Sequence, residues 1–158
     1  MSLEKQLNLL KQIDNCFLAL NGKKLPSPLG VLDRYLWLHE KAPYSILAQG
    51  GEEDPYFIYA NNYALSCFKY SLDEILSLPA KLSAAEENRP KRKLLFDKVA
   101  REGIVYNYNG DRVDKYQNTF RINDTIVWQL EENDGEVWGQ GALFWSKEKE
   151  RPRLVYRI

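Results

Sequence analysis

The chain has 158 residues with 22 Lys or Arg against 22 Asp or Glu, so no net field draws it toward nucleic acid or a membrane surface. That length suits one domain, able to bury about 70% of its unfolded surface unaided by metals or disulfides. Cys16 and Cys67 are too few and too far apart for a disulfide framework or a zinc knuckle, and no apolar stretch approaches the ~18 residues of a membrane span.

The N-terminus is charged and mixed, and no repeat or long linker follows it, so a cytoplasmic protein without a second domain is the expectation. Leu3, Leu7, Leu10, Ile13, Phe17 and Leu20 recur at steps of three and four, which places them on one stripe of a helix ended by Asn21-Gly22. After the loop 23–28, the spacing of Leu29, Leu32, Tyr35, Leu36 and His39 predicts a second helix. Ser27 is its expected N-cap, Pro28 its first residue, and Pro43 its stop. Such a pair either covers the back of a sheet or packs on a second copy of the chain.

From Tyr44 the texture changes. Ser45–Gln49 and Tyr56–Tyr59 read as strands joined by Gly50–Pro55, a loop of hairpin length. Asn61 follows the second strand as the N-cap of a helix over Asn62–Phe68. Ser71 and Glu74 form a capping box for Ser71–Leu76, and Pro90–Glu102 reads as the longest of the later helices, stopped by Gly103. The last third is β-rich: Ile104–Gly110, the stretch from Thr119 to Leu130, and Val137–Trp145 follow the strand pattern, with a hairpin turn at Asp134-Gly135. Gly139 and Gly141 leave room for another backbone or a ligand to approach. The order gives an α+β fold, a single antiparallel sheet of about five strands with short helices on one face. We divide it into an N-terminal helical segment (1–42), a core (43–146) and a C-terminal tail (147–158).

Several scattered groups of residues occur together: Asp54-Pro55 with Tyr59-Ala60-Asn61, Leu78-Pro79, and Leu82-Ser83-Ala84 with Glu86, Arg89 and Arg92. Tyr108-x-Gly110-x-Arg112, Trp128 and Gly139-Gln140 complete the set. In this combination the sequence resembles PAS domains, and more closely the MEKHLA type of PAS-like domain in its standalone bacterial form, over roughly residues 30–146. One departure is Lys115–Phe120, where a glycine turn is expected before the aromatic residue. The resemblance implies a sensory or interaction module with a cavity between the sheet and the short helices, and association through the sheet or the N-terminal helices.

The residues then narrow the occupant. Haem requires an axial ligand, and His39, the single histidine, precedes the first strand on an apolar stripe that suits a packing role. An adduct-forming cysteine for flavin photochemistry is expected in Leu82–Asn88, which has none; Cys67 lies one helix too early. A noncovalent flavin, another planar aromatic or a small acid stays open. Trp128 and Tyr108 are the aromatic candidates, on strands expected to floor the cavity. Gln140 interrupts an apolar strand, as a ligand-binding amide or as a side chain satisfied by Asn61, Arg112 or backbone. Arg89, Arg92 and Arg112 either turn their forked guanidinium groups to an acidic ligand or brace Glu86, Glu87 and Asp111. Asn61 shapes one cavity wall.

The run Arg89–Lys93 reads as a solvated helix face rather than a nucleic-acid patch. No Gly-x-Ser-x-Gly elbow, phosphate-cradling glycine loop or Asp-rich metal spacing appears, so catalysis is not expected. The leading reading is a sensor that binds a small molecule and signals through a protein partner or as a homodimer. The alternatives are an unliganded interaction module and a small enzyme acting on an acidic or aromatic metabolite.

Overall fold

The N-terminal stripe closes into helix α1 (Leu3–Asn21). Ser2 caps it, its hydroxyl accepting from the Lys5 amide at 3.2 Å, and Gly22 ends it with φ at 82°. The computed structural model describes residues 1–146; the expected tail at 147–158 lies outside the described residues. Leu10, Ile13 and Phe17 are fully buried, while Leu3 and Leu20 at the stripe's ends stay exposed.

Helix α2 (Arg34–Glu40) corrects the sequence reading. It begins after Asp33, not at Pro28, and Asp33 rather than Ser27 caps it by accepting from the Leu36 amide. The preceding stretch turns at Leu29-Gly30 and bends at Leu32-Asp33 on the surface, with Leu29 99% and Leu32 104% exposed. Gly30, at φ 82°, breaks a helical start there. A buried carboxylate holds the segment instead: Asp14 accepts from the Leu25 amide at 2.8 Å, Arg34 Nη1 at 2.6 Å and the Tyr35 hydroxyl at 3.0 Å.

Strands β1 (Ser45–Gly50) and β2 (Phe57–Ala60) form the expected antiparallel hairpin. Helix α3 (Asn62–Phe68), the single turn α4 (Leu72–Ile75) with its Ser71/Glu74 capping box, and two 3-10 turns at Ala80–Ser83 and Glu86–Asn88 lead to α5 (Arg89–Glu102). Strands β3 (Ile104–Val113), β4 (Thr119–Glu131) and β5 (Val137–Trp145) complete a five-stranded antiparallel sheet of order β2-β1-β5-β4-β3. At the β3–β4 turn no glycine is required: Gln117 takes the positive φ of 65°, and Asp114 Oδ1 accepts from the amides of Tyr116 and Asn118. Gly135, at φ 87°, makes the β4–β5 turn.

The sheet has two covered faces. On the back, α1 packs Leu10, Ile13 and Phe17 against Ile46, Tyr59, Trp128, Leu130, Leu143 and Trp145. On the front, Phe68, Ile75 and Ala80 lie over Leu47, Phe57, Ile122 and Phe144, and α5 sets Leu95 and Val99 on Val105 and Val127. The glycines of β5 admit protein rather than a ligand. A Cβ at Gly139 would lie 2.2 Å from the Gln49 carbonyl oxygen, and one at Gly141 2.8 Å from the Trp128 indole.

Candidate functional site

Between the front of the sheet and α5 lies a cavity of about 40 Å³. Its walls are mostly apolar, with Leu47, Phe57, Phe68, Leu95, Ile122 and Phe144 among them. Six polar side chains from six elements also face it: Gln49 from β1, Ser83 from the 3-10 turn at Ala80–Ser83, Arg92 from α5, Arg112 from β3, Thr125 from β4 and Gln140 from β5. The β3–β4–β5–β1 pairings put these positions side by side, with Gln49 opposite Gln140 and Gln140 opposite Gln129.

The glutamines form a ladder across three strands. Arg92 Nη2 donates to Gln49 Oε1, Gln49 Nε2 to Gln140 Oε1 at 3.1 Å, and Gln140 Nε2 to Gln129 Oε1 at 2.9 Å. Gln140 is thus satisfied within the sheet, by neither Asn61 nor Arg112 as expected. Register is the reason, since in-register antiparallel neighbours stand about 5 Å apart.

Arg92 and Arg112 are 8% and 7% exposed, and among the described residues neither makes an ion pair. Arg92 stacks on the Phe96 ring at 4.6 Å, and Arg112 Nη1 donates to the Asp111 carbonyl at 2.8 Å. Burial, aided by the neighbouring Arg112 charge, pushes the Arg92 guanidinium down to about 10, which leaves it cationic at neutral pH. Arg112 is lowered mainly by burial, and Tyr108 beside it acts in the opposite sense. The Tyr108 ring lies 5.7 Å from the Arg112 carbon centre and packs over Gly110. Thr125 is 2% exposed, and its hydroxyl has no hydrogen-bond partner among the described residues.

The structure therefore brings Gln140, Arg92 and Arg112 to one cavity. Tyr108 stands behind Arg112 without lining it. Arg89 donates from Nε to the Ala84 carbonyl at 3.2 Å and lines a more open polar pocket of about 470 Å³. That outer pocket shares Gln49, Arg92, Phe96 and Gln140 with the inner cavity and is rimmed by Glu52, Asp54, Lys81 and Asp97. Neither Glu86 nor Glu87 pairs with these arginines, and Asp111 bonds Arg121 at 3.3 Å.

Two expected positions are corrected. Trp128 is on the back of the sheet, where its Nε1 donates to the Ile13 carbonyl at 3.3 Å and its ring meets Phe17 edge-on at 4.7 Å. Asn61 does not reach the cavity because its whole amide is used in backbone bonds. Oδ1 accepts from the amides of Ala64 and Ile46, both at 3.0 Å, and Nδ2 donates to the carbonyls of Leu38 and Tyr44. Gln49 and Thr125 are cavity residues that the sequence patterns did not single out. The aligned glutamine pair becomes visible only once the β1–β5 register is known.

His39 is buried on the back side with its Nδ1 2.7 Å from the Tyr59 hydroxyl, a packing role. Cys67 lines a separate pocket with Tyr63, Lys69 and Asp114, away from the arginines. Among the described residues no group of three or more His, Cys, Asp or Glu side chains is placed to hold a metal ion. Nor do the cavity residues fit a flavin or haem: about 40 Å³ is far below the ~300 Å³ at which pockets for drug-sized ligands begin.

An antiparallel five-stranded sheet carrying short helices and a cavity on one face is the PAS type of fold, and the solved structures agree. The PAS domain of a protein from Colwellia psychrerythraea superposes with a TM-score of 0.65 at 10% identity, over 73% of this chain and 96% of that one. A light-oxygen-voltage domain studied with a flavin analogue gives 0.56 at 18% identity, over 67% and 78%. A domain of a sensory box sensor histidine kinase/response regulator from Geobacter sulfurreducens gives 0.55 at 12%, over 71% and 90%. The chain belongs to the MEKHLA domain family, whose profile matches residues 7–148. Among curated protein sequences none matches it. No helix among the described residues is long and apolar enough to cross a membrane.

Proposed function

We propose that the protein is a PAS-like sensory module that binds a small molecule in the front cavity and passes its occupancy to a protein partner or a second copy. One observation carries this reading: polar side chains from α5 and four strands converge on a single apolar cavity, the arrangement that gives a binding site its orientation and specificity. The role is binding rather than catalysis. The sole histidine is engaged with Tyr59 on the other side of the sheet, and among the described residues no His, Asp or Glu side chain lines the cavity to act as a general base.

The test is a thermal-shift and native mass-spectrometry panel of small metabolites against the full chain and an Ala142→Phe variant that fills the cavity. Ligands that stabilise the wild type and are lost from the folded variant support the reading. A folded variant that keeps every response sinks it. A second reading, an interaction module without a ligand, is favoured by the exposure of Leu29 and Leu32. It predicts no stabilising ligand, and association that a double Leu29→Ser, Leu32→Ser variant abolishes.

A further inference from the structure

The cavity's charge balance is uneven. Two guanidinium groups, both more than nine-tenths buried, face the same small apolar space, and no described carboxylate lies within ion-pair distance of either. A buried cation without a counter-charge is costly, so natural cores pair it, bond it to neutral acceptors or give it a ligand. The neutral acceptors here are few: one Gln49 oxygen for Arg92, and the Asp111 carbonyl and the Tyr108 hydroxyl for Arg112.

The Thr125 hydroxyl adds an independent pointer. Buried hydroxyls find partners in the great majority of cases, yet this one, at the cavity wall, has none among the described residues. Local geometry turns it there. Ile122 and Thr125 line the cavity three residues apart, an odd step that regular alternation forbids. The register shift between Asn123 and Ile126, with Asp124 at φ 51°, inserts the extra residue that makes it work. A bulge that re-aims one side chain into a cavity is a common device at binding sites.

Resting on the reading of this cavity as a ligand site, we infer that its occupant is a small aliphatic monocarboxylate, its oxygens bonded by Arg92, Arg112 and Thr125 and its tail against Leu47, Ile122 and Phe144. A planar carboxylate matches the guanidinium fork, whereas a phosphate group would place a further charged oxygen against apolar walls. Size limits the tail. The volume of about 40 Å³ corresponds to roughly three water positions, which admits an acid of about two to four carbons and excludes long chains and aromatic acids.

The experiment titrates the full chain with acetate, propionate and butyrate, with the matching primary amides, and with inorganic phosphate and chloride, all at one ionic strength. Calorimetry and thermal shift read the binding. Saturable binding of a carboxylate is expected, at least about tenfold tighter than its amide. Thr125→Val, nearly isosteric, and Arg112→Gln should each weaken it roughly tenfold or more, the loss of one bond to a charged group. Should Arg112→Gln not fold, Thr125→Val together with the amide comparison decides. Amides binding as tightly as acids, or phosphate or chloride binding in preference, overturns the carboxylate assignment while the cavity reading stands. If no acid, amide or inorganic anion binds, the carboxylate assignment falls, and the cavity reading is then decided by the metabolite panel with the Ala142→Phe variant.

Discussion

His39 shows how a single buried side chain ties stability to pH. Its ring is packed beside Tyr59, and burial lowers its pKa below the ordinary 6.5, with Glu40 opposing more weakly. Below that value the unfolded chain takes up a proton that the folded chain resists, so the unfolded state binds more protons there. Stability from this group is therefore complete above about pH 6.5 and declines as the pH falls through the window beneath it. The wild type should lose melting temperature from pH 7 to pH 5.5 more steeply than His39→Gln, which keeps a hydrogen-bonding side chain and does not titrate. Parallel curves for the two proteins would show that His39 is not the titrating group.

Strand β5 is the element with the least tolerance, because its glycines sit under other parts of the protein. At Gly141 an added methyl would meet the Trp128 indole at 2.8 Å, and the indole is fixed by its bond to Ile13 and its contact with Phe17. Gly141→Ala should destabilise by roughly 1–3 kcal/mol in urea unfolding, an overpacking effect, while Val137→Ala at the exposed strand start changes little. An unchanged midpoint for Gly141→Ala would mean that the indole can move. The Asn61 cap on Ala64, the Ser71/Glu74 box, Gly103 and Asp134-Gly135 act through neighbours in the chain, so the elements and their ends are legible in the sequence. Ile126, Trp128 and Leu130 alternate along β4 and so share a face, but which face meets the cavity depends on where α1 docks. The cavity position of Thr125 is not legible in the sequence because its orientation follows from a bulge, nor is that of Gln49, whose partners lie 43 and 91 residues away. The helical spacing of Leu29 and Leu32 is overridden by the turn at Gly30 and by the Asp14 cluster that ties down both flanks of the segment.

At the scale of the whole molecule, the sheet joins the chain's first strands to its last. β1 lies between β2 and β5, with Ser45 opposite Phe144, so neither the early hairpin nor the late meander is complete without the other. Both cores rest on this one sheet: α1 on its back through Trp128 and Trp145, α5 and the short helices on its front through Val127 and Phe144. Melting either layer exposes apolar surface on strands that the opposite layer needs, which favours all-or-none unfolding. The full chain should therefore unfold in urea in one transition, with tryptophan fluorescence, near-UV and far-UV circular dichroism giving the same midpoint. A far-UV change that precedes the tryptophan change would show α1 or α5 leaving a sheet that stays intact. The same coupling sets how a ligand acts: binding the folded state alone stabilises by RT ln(1 + [L]/Kd), about 2.7 kcal/mol at a hundredfold excess over Kd. An occupant of the Arg92–Arg112 cavity should move the entire curve, α1 on the far face included. A ligand that shifts only part of the transition would place its site outside the shared sheet.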